Sequence, residues 1–285
     1  MTYKDLYLKL IPLYEPSEAR AIVRMLLETE FGFSQADLYT DKVNQLPAEH
    51  SRLLARIIER LANAEPVQYV LGRTEFFGRW FKVNPNVLIP RPETEDLCRW
   101  ILSDVTRPFC GLQPPPALKI LDIGTGSGCI AVTLALDTPN AQVSAWDISA
   151  DALLTARENA INLNAAVNFQ LVDALNPPPI STNQNIIVSN PPYITEHERQ
   201  TMEPNVIRYE PATALFVPDS NPLLFYRVIS LFGMESLQNG GAIYFETNPN
   251  YLPEIHDLLT TLNYTNIETH ADRFTCVRFI KAIKK

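Results

Sequence analysis

Apolar residues recur at helical spacing through the first quarter of the chain and then give way to short runs. Ile22, Val23, Leu26 and Leu27 share one face of a helix that Ser17 can cap and Gly32 ends. Ser34, with Asp37 three residues on, starts a second helix as a relaxed capping box. Pro47 opens a third, in which Leu53, Leu54, Ile57, Ile58 and Leu61 recur before Pro66 stops it. These stripes predict a small helical core, with no sign of a ligand site.

From Val67 the pattern changes. Residues 75–83 are aromatic-rich around Gly78 and predict a short hairpin. Leu97, Ile101 and Val105 line one face of the next helix, and Pro114, Pro115 and Pro116 form a stiff linker. Strands and helices then alternate. Strands are predicted at 119–123, 142–146, 167–172 and 185–189, with helices at 130–136 and 150–162. Late strands fall at 242–246, 265–269 and 275–280, and the last two follow each other so closely that one is expected to run antiparallel. The expected architecture is α/β: a mostly parallel sheet with helices on both faces, preceded by a small all-helical domain. Its expected parts are a helical domain at 1–66, a hairpin linker at 67–90 and an α/β domain at 91–285.

Composition narrows the function. With 46% hydrophobic and 20% charged residues, the 285-residue chain is globular in balance and can bury a sizeable core. A formal net charge of −8 and the lack of a basic run argue against a grip on nucleic-acid phosphates. The four cysteines form no C-x-x-C pair and the four histidines no H-x-x-x-H, so no metal site is expected. Few cysteines, no apolar signal core before Pro12 and no run long enough for a bilayer lead to the expectation of a cytoplasmic protein with reduced thiols and no membrane contact.

Two motifs carry chemistry. The first, Asp122-Ile-Gly124-Thr125-Gly126-Ser127-Gly128, lies between a predicted strand and a helix. Glycines there let the backbone turn sharply and approach a ligand closely. The dinucleotide fingerprint needs glycine at position 129, which is Cys129, so the pattern favours a nucleoside ligand without a pyrophosphate. Asp147 ends the next strand, where a carboxylate can accept both hydrogen bonds of a ribose diol. Asp122 can act on a ligand ammonium, directly or through water, or simply hold the turn.

The second motif, Asn190-Pro191-Pro192-Tyr193, ends a predicted strand. Each proline fixes φ and lacks an N–H, so the Asn190 and Pro191 carbonyls sit in a stiff segment with few competing donors. A target NH2 can give one hydrogen to the Asn190 side-chain oxygen and the other to the Pro191 backbone oxygen, leaving its lone pair aimed at a sulfonium methyl. Two fixed acceptors then stabilise the positive charge that develops on an otherwise unreactive amide nitrogen. Tyr193 offers a flat face for the target group.

Together the motifs resemble the protein-(glutamine-N5) methyltransferases of peptide chain release factors, the PrmC/HemK family. The resemblance runs through residues 66–72, 75–78, 88–95, 122–130, 147–149, 159–160, 190–194 and 209–211. It implies a class I (Rossmann-like) S-adenosylmethionine-dependent methyltransferase domain of seven strands, behind a helical domain that contacts the release factor. It implies that residues 124–128, Asp147 and Ala174, the residue after Asp173, line the S-adenosylmethionine site, joined by Asn190. It also implies that Asn190, Pro191, Pro192 and Tyr193 hold the substrate glutamine. Ala174 stands where some members carry an aromatic; Thr247 and Thr275 stand where glycine is common.

An adenine-N6 type methyltransferase is the competing reading, since Asn-Pro-Pro-Tyr suits any planar NH2, but it calls for a basic groove and base flipping. A catalytically silent binding protein is another, opposed by the intact motifs. His197 reads as a solvated loop residue. Arg91, Glu93 and Glu95 read equally well as closing over the donor or capping a helix.

Overall fold

The computed structural model describes residues 2–40, 42–106, 117–178 and 183–285; the Pro114–Pro116 linker and Cys110 lie outside the described residues. The chain divides into two compact units, one of Met1–Arg73 with Glu203–Tyr209, the other of Thr74–Met202 with Glu210–Lys285.

The smaller unit is helical: α1 (Tyr3–Leu8), α2 (Pro16–Phe31), α3 (Gln35–Tyr39), α4 (Ala48–Ala62) and α5 (Val67–Leu71). Its helix starts are written in the sequence. At α3 the Ser34 hydroxyl accepts the Asp37 N–H and Asp37 accepts the Ser34 N–H at 2.9 Å, and Thr2 and Asp5 make the same reciprocal cap at α1. Ser17 does not cap α2. The chain enters through Pro16 at the first helical position, where its missing N–H costs nothing, and Glu15 precedes it without a side-chain cap. Gly32 ends α2 at φ 65°, as its position suggested. Leu6, Val23, Leu27, Leu54, Ile58 and Leu61 are among the side chains forming the unit's own buried core. The helical unit continues past Pro66 through α5 to Gly72, so the hairpin occupies only part of the 67–90 stretch.

The hairpin joins β1 (Arg73–Phe76) to β2 (Arg79–Lys82) through Phe77 and Gly78, both at positive φ, which suits the strands' right-handed twist. Next come α6 (Pro92–Thr106), β3 (Lys119–Ile123), α7 (Cys129–Asp137), β4 (Gln142–Asp147), α8 (Ala150–Asn162), β5 (Val167–Leu171) and β6 (Gln184–Ser189). A two-residue pairing links β7 (Ile194–Thr195) to β8 (Phe216–Val217), with α9 (Pro204–Tyr209) between them in sequence. The chain closes with α10 (Leu224–Ser236), β9 (Leu237–Glu246), α11 (Leu252–Thr261), β10 (Tyr264–Ala271) and β11 (Val277–Lys284).

Seven of these strands make one sheet in the order β10-β11-β9-β6-β3-β4-β5. β9, β6, β3, β4 and β5 are parallel, and β11 runs antiparallel to both β9 and β10. Alternate residues face opposite sides of a strand, and the two cores show it. Ile120, Ile186, Val188 and Tyr244 join one core with Leu97 of α6 and Ile130 of α7; Leu121, Ile187, Ile243 and Phe245 join the other with Ile229 of α10 and Ile255 of α11. Burial on both faces explains why β6 reads as an unbroken apolar run. β11 starts two residues later than its pattern suggested. Asp272 accepts the Phe274 and Cys276 N–H groups at 2.8 and 2.9 Å and holds Thr275 at φ 68°, a turn geometry incompatible with a strand.

Candidate active site

Parallel strands present their carboxyl ends on one edge of a sheet, and there the β3–α7 turn, the end of β4 and the segment after β6 come together. They line a cavity of about 320 Å³ with Gly124, Gly126, Asp147, Ala174, Asn190, Pro191 and Pro192 on its walls. Residues separated by up to 68 positions in sequence thus share one space.

The glycine turn is fixed from behind. The Gly124 and Thr125 N–H groups both donate to the Trp146 carbonyl at 2.9 Å, and the Gly128 N–H donates to Thr125 at 2.8 Å. Gly124, Gly126 and Gly128 sit at φ 76°, 54° and 81°, which a side chain would strain. At Gly124 and Gly126 a Cβ would point into open space, so the missing side chains also keep the cradle clear. Gly128 differs: it caps α7 and faces Ala156, which a Cβ would approach to 3.1 Å.

Thr125, Ser127, Gly128 and Tyr193 are not among the cavity's lining residues. Thr125 is buried and its hydroxyl donates to Asp122 at 2.6 Å; the Ser127 carbonyl accepts from Asn159 at 2.9 Å. Asp122 is fully buried under the turn, with one oxygen bonded to Thr125 and the Ala131 N–H and the other without a partner among the described residues. Burial pushes its carboxyl up to about 7 against those two hydrogen bonds. Its observed contacts are with the loop.

Asp147 accepts the Gly126 N–H at 2.8 Å on one oxygen and the Ser149 N–H at 2.9 Å on the other. Burial raises its pKa and these backbone donors oppose the rise. A carboxylate has about four lone-pair sites, so one remains on each oxygen for a diol. With two open glycine positions beside it, this set fits a nucleoside. The exposed Ile148 and the small Ala174 flank it on the same cavity.

On the other wall the Asn190 side-chain nitrogen donates to the Thr94 hydroxyl at 3.4 Å, and its oxygen has no protein partner among the described residues. The Thr94 hydroxyl in turn donates to Glu246 at 2.7 Å. Tyr193 stands behind the cavity wall: its ring packs against the α10-side core and its hydroxyl reaches Glu246 at 3.4 Å. Arg91 pairs with the buried Glu210 at 2.6 Å, while Glu95 accepts the Phe77 N–H and pairs with Arg99 and Arg273. Both tie structure together away from the cavity lining. His197 is exposed on its loop.

A release factor glutamine methyltransferase of Bacteroides thetaiotaomicron is 43% identical over 271 residues, covering 95% of this chain and 94% of that protein. One from Flavobacterium psychrophilum is 39% identical, covering 95% and 94%. The chain belongs to the release factor glutamine methyltransferase family. Residues 13–72 match the PrmC N-terminal domain and residues 110–211 the methyltransferase small domain. The larger unit has the class I S-adenosylmethionine-dependent methyltransferase fold. Solved structures share that fold at low identity: a methyltransferase from Pyrococcus furiosus (18% identity, TM-score 0.50, covering 82% of this chain and 98% of that one) and the hMettl16 catalytic domain (14%, 0.53, 81% and 81%). Among the described residues, no helix is long and apolar enough to cross a membrane.

Thr94 and Glu246 escaped the sequence reading as site residues. They are 152 positions apart, and neither residue type at its position signals a shared role.

Proposed function

We propose that this chain transfers a methyl group from S-adenosylmethionine to the side-chain N5 of a glutamine in peptide chain release factors. The observation that carries the reading is the shared cavity, which Gly124, Gly126 and Asp147 line together with Asn190 and Pro191. S-adenosylmethionine supplies an electrophilic methyl on a sulfonium. Gly124, Gly126, Asp147 and Ala174 would hold it, with Thr125, Ser127 and Gly128 shaping the turn and Asn190 bordering both ligands.

Asn190 and Pro191 do the orienting. The Asn190 side-chain oxygen and the Pro191 backbone oxygen accept the two hydrogens of the glutamine NH2, which turns the nitrogen lone pair toward the donor side. Pro192 keeps the segment stiff and free of a competing N–H. As positive charge develops on the amide nitrogen, both acceptors stabilise it, the inverse of an oxyanion hole. No protein base has to remove a proton beforehand; the nitrogen becomes acidic as the new bond forms and its proton leaves to solvent. Tyr193 braces the end of the segment from the core side.

The helical region at 1–66 is assigned to recognition of the release factor, and the enzyme acts in the cytoplasm without a direct need for nucleic acid. The test is a comparison of labelled-methyl incorporation into a release factor, DNA and ribosomal RNA. Incorporation into the release factor alone is expected; incorporation into nucleic acid alone would replace this reading with the base-directed one.

A further inference from the structure

Glu246, the last residue of β9, is 1% exposed and has no ion-pair partner among the described residues. Its side chain is held by two hydroxyls, Thr94 at 2.7 Å and Tyr193 at 3.4 Å. The hydroxyls donate to different oxygens, and a glutamine, with one carbonyl oxygen and an NH2 that only donates, could accept just one of them; what the costly buried carboxylate does with both oxygens calls for an explanation.

The explanation lies in direction. An ionised carboxylate only accepts hydrogen bonds, so Thr94 must spend its single hydroxyl hydrogen on Glu246. The Thr94 oxygen is then available only as an acceptor. It faces the Asn190 amide at 3.4 Å, so the NH2 end of Asn190 has to turn toward it and the carbonyl end away. An amide is nearly symmetric in shape, and packing alone cannot choose between its two orientations. We infer that Thr94 and Glu246 form a positioning relay that holds the Asn190 amide with its oxygen facing the acceptor glutamine. The inference rests on the role proposed above for Asn190.

The relay is directional only while Glu246 is ionised. Titratable groups around it are Glu93 and Cys98 from α6, Cys129 from α7, Tyr193 after β6, Tyr226 from α10 and Arg278 from β11. Burial pushes the Glu246 carboxyl up to about 6, while the Thr94 hydrogen bond and the charge of Arg278 pull against the rise. Below that value a protonated Glu246 donates to Thr94, the Thr94 hydrogen is released toward Asn190, and the amide can reverse. A reversed amide presents an NH2 to the substrate NH2, which repels it.

The experiment uses the full-length enzyme with a release factor, measuring donor affinity, kcat, KM and their pH dependence for Thr94→Val, Thr94→Ser, Glu246→Gln and Asn190→Ala. Thr94→Val keeps the shape and removes the hydroxyl, so kcat should fall about 10- to 100-fold with donor affinity nearly unchanged. Thr94→Ser keeps the hydroxyl and should stay within about threefold of the parent. The parent's kcat/KM should decline as pH falls through about 6, and Glu246→Gln should lose that limb along with part of its kcat. Asp122 is untouched in Glu246→Gln, so an acid limb that persisted unchanged there would belong to another group and count against Glu246. In nitrogen-15 spectra the Asn190 side-chain amide should show slower hydrogen exchange in the parent than in Thr94→Val. Full kcat in Thr94→Val, or a Ser variant as impaired as Val, overturns the relay. Loss of turnover in Asn190→Ala beside an intact Thr94→Val would sink the relay alone. Full turnover in Asn190→Ala would bring down the glutamine-holding role itself.

Discussion

Asp147 has an observed job in the fold and a proposed one for the ligand, and both run through the same carboxylate. Its oxygens already hold the Gly126 and Ser149 N–H groups, so the carboxylate fixes the glycine turn against the end of β4 while keeping lone pairs for a ribose diol. Asp147→Ala should weaken S-adenosylmethionine binding by about 2–4 kcal/mol, since hydrogen bonds to a charged acceptor contribute roughly 1.5–3 each and do not add fully. Calorimetry showing an unchanged affinity would place the ribose elsewhere. The glycine motif, Asp147 and the Asn190 segment were legible in the sequence because their chemistry demands unusual residues: positive φ needs glycine, and stiffness without donors needs paired prolines. Thr94 and Glu246 were not legible as a pair. A threonine in a first helical turn and a glutamate at a strand end are ordinary, and only the packing of α6 against β9 brings them to 2.7 Å.

α8 and β3 match their predicted limits, the first as a helical run capped by Ser149 and the second as a short apolar run buried on both faces. Boundaries moved where local backbone chemistry overrode the apolar pattern, as at Pro16 for α2 and at the Asp272 turn before β11. That turn also carries an ionic clamp. Arg273 pairs with Glu95 at 2.9 Å and Asp96 at 3.1 Å in α6, so the β10–β11 turn is tied to the helix that carries Thr94. Burial raises the pKa of both carboxylates, but the Phe77 N–H on Glu95 and the guanidiniums on both outweigh it, and each ends below its ordinary value. A depressed folded-state pKa gives stability that is present above the unfolded value and lost as pH falls through the folded one. Arg273→Ala should therefore cost about 1 kcal/mol at neutral pH, with the difference from the parent shrinking below about pH 4. Thermal melts showing a deficit that is constant down to pH 3 would contradict the clamp.

At the scale of the whole molecule, the helical unit and the α/β unit each bury a core of their own. Every residue lining the cavity belongs to the α/β unit. A chain starting at Thr74 should thus keep its donor affinity within about threefold yet methylate an intact release factor at least about tenfold more slowly, since recognition is assigned to the helices. Full activity of that fragment would remove the recognition role. The central claim is that Asn190 presents a glutamine amide, and it is tested most directly by following one methyl to its atom. The parent and Asn190→Ala are incubated with donor and a release factor, and fragment mass spectra locate the product. The parent should place a single methyl on a glutamine side-chain nitrogen. Asn190→Ala should bind donor normally and lose turnover by on the order of 100-fold or more. A methyl on another atom, or near-parental turnover by the alanine variant, would contradict the account.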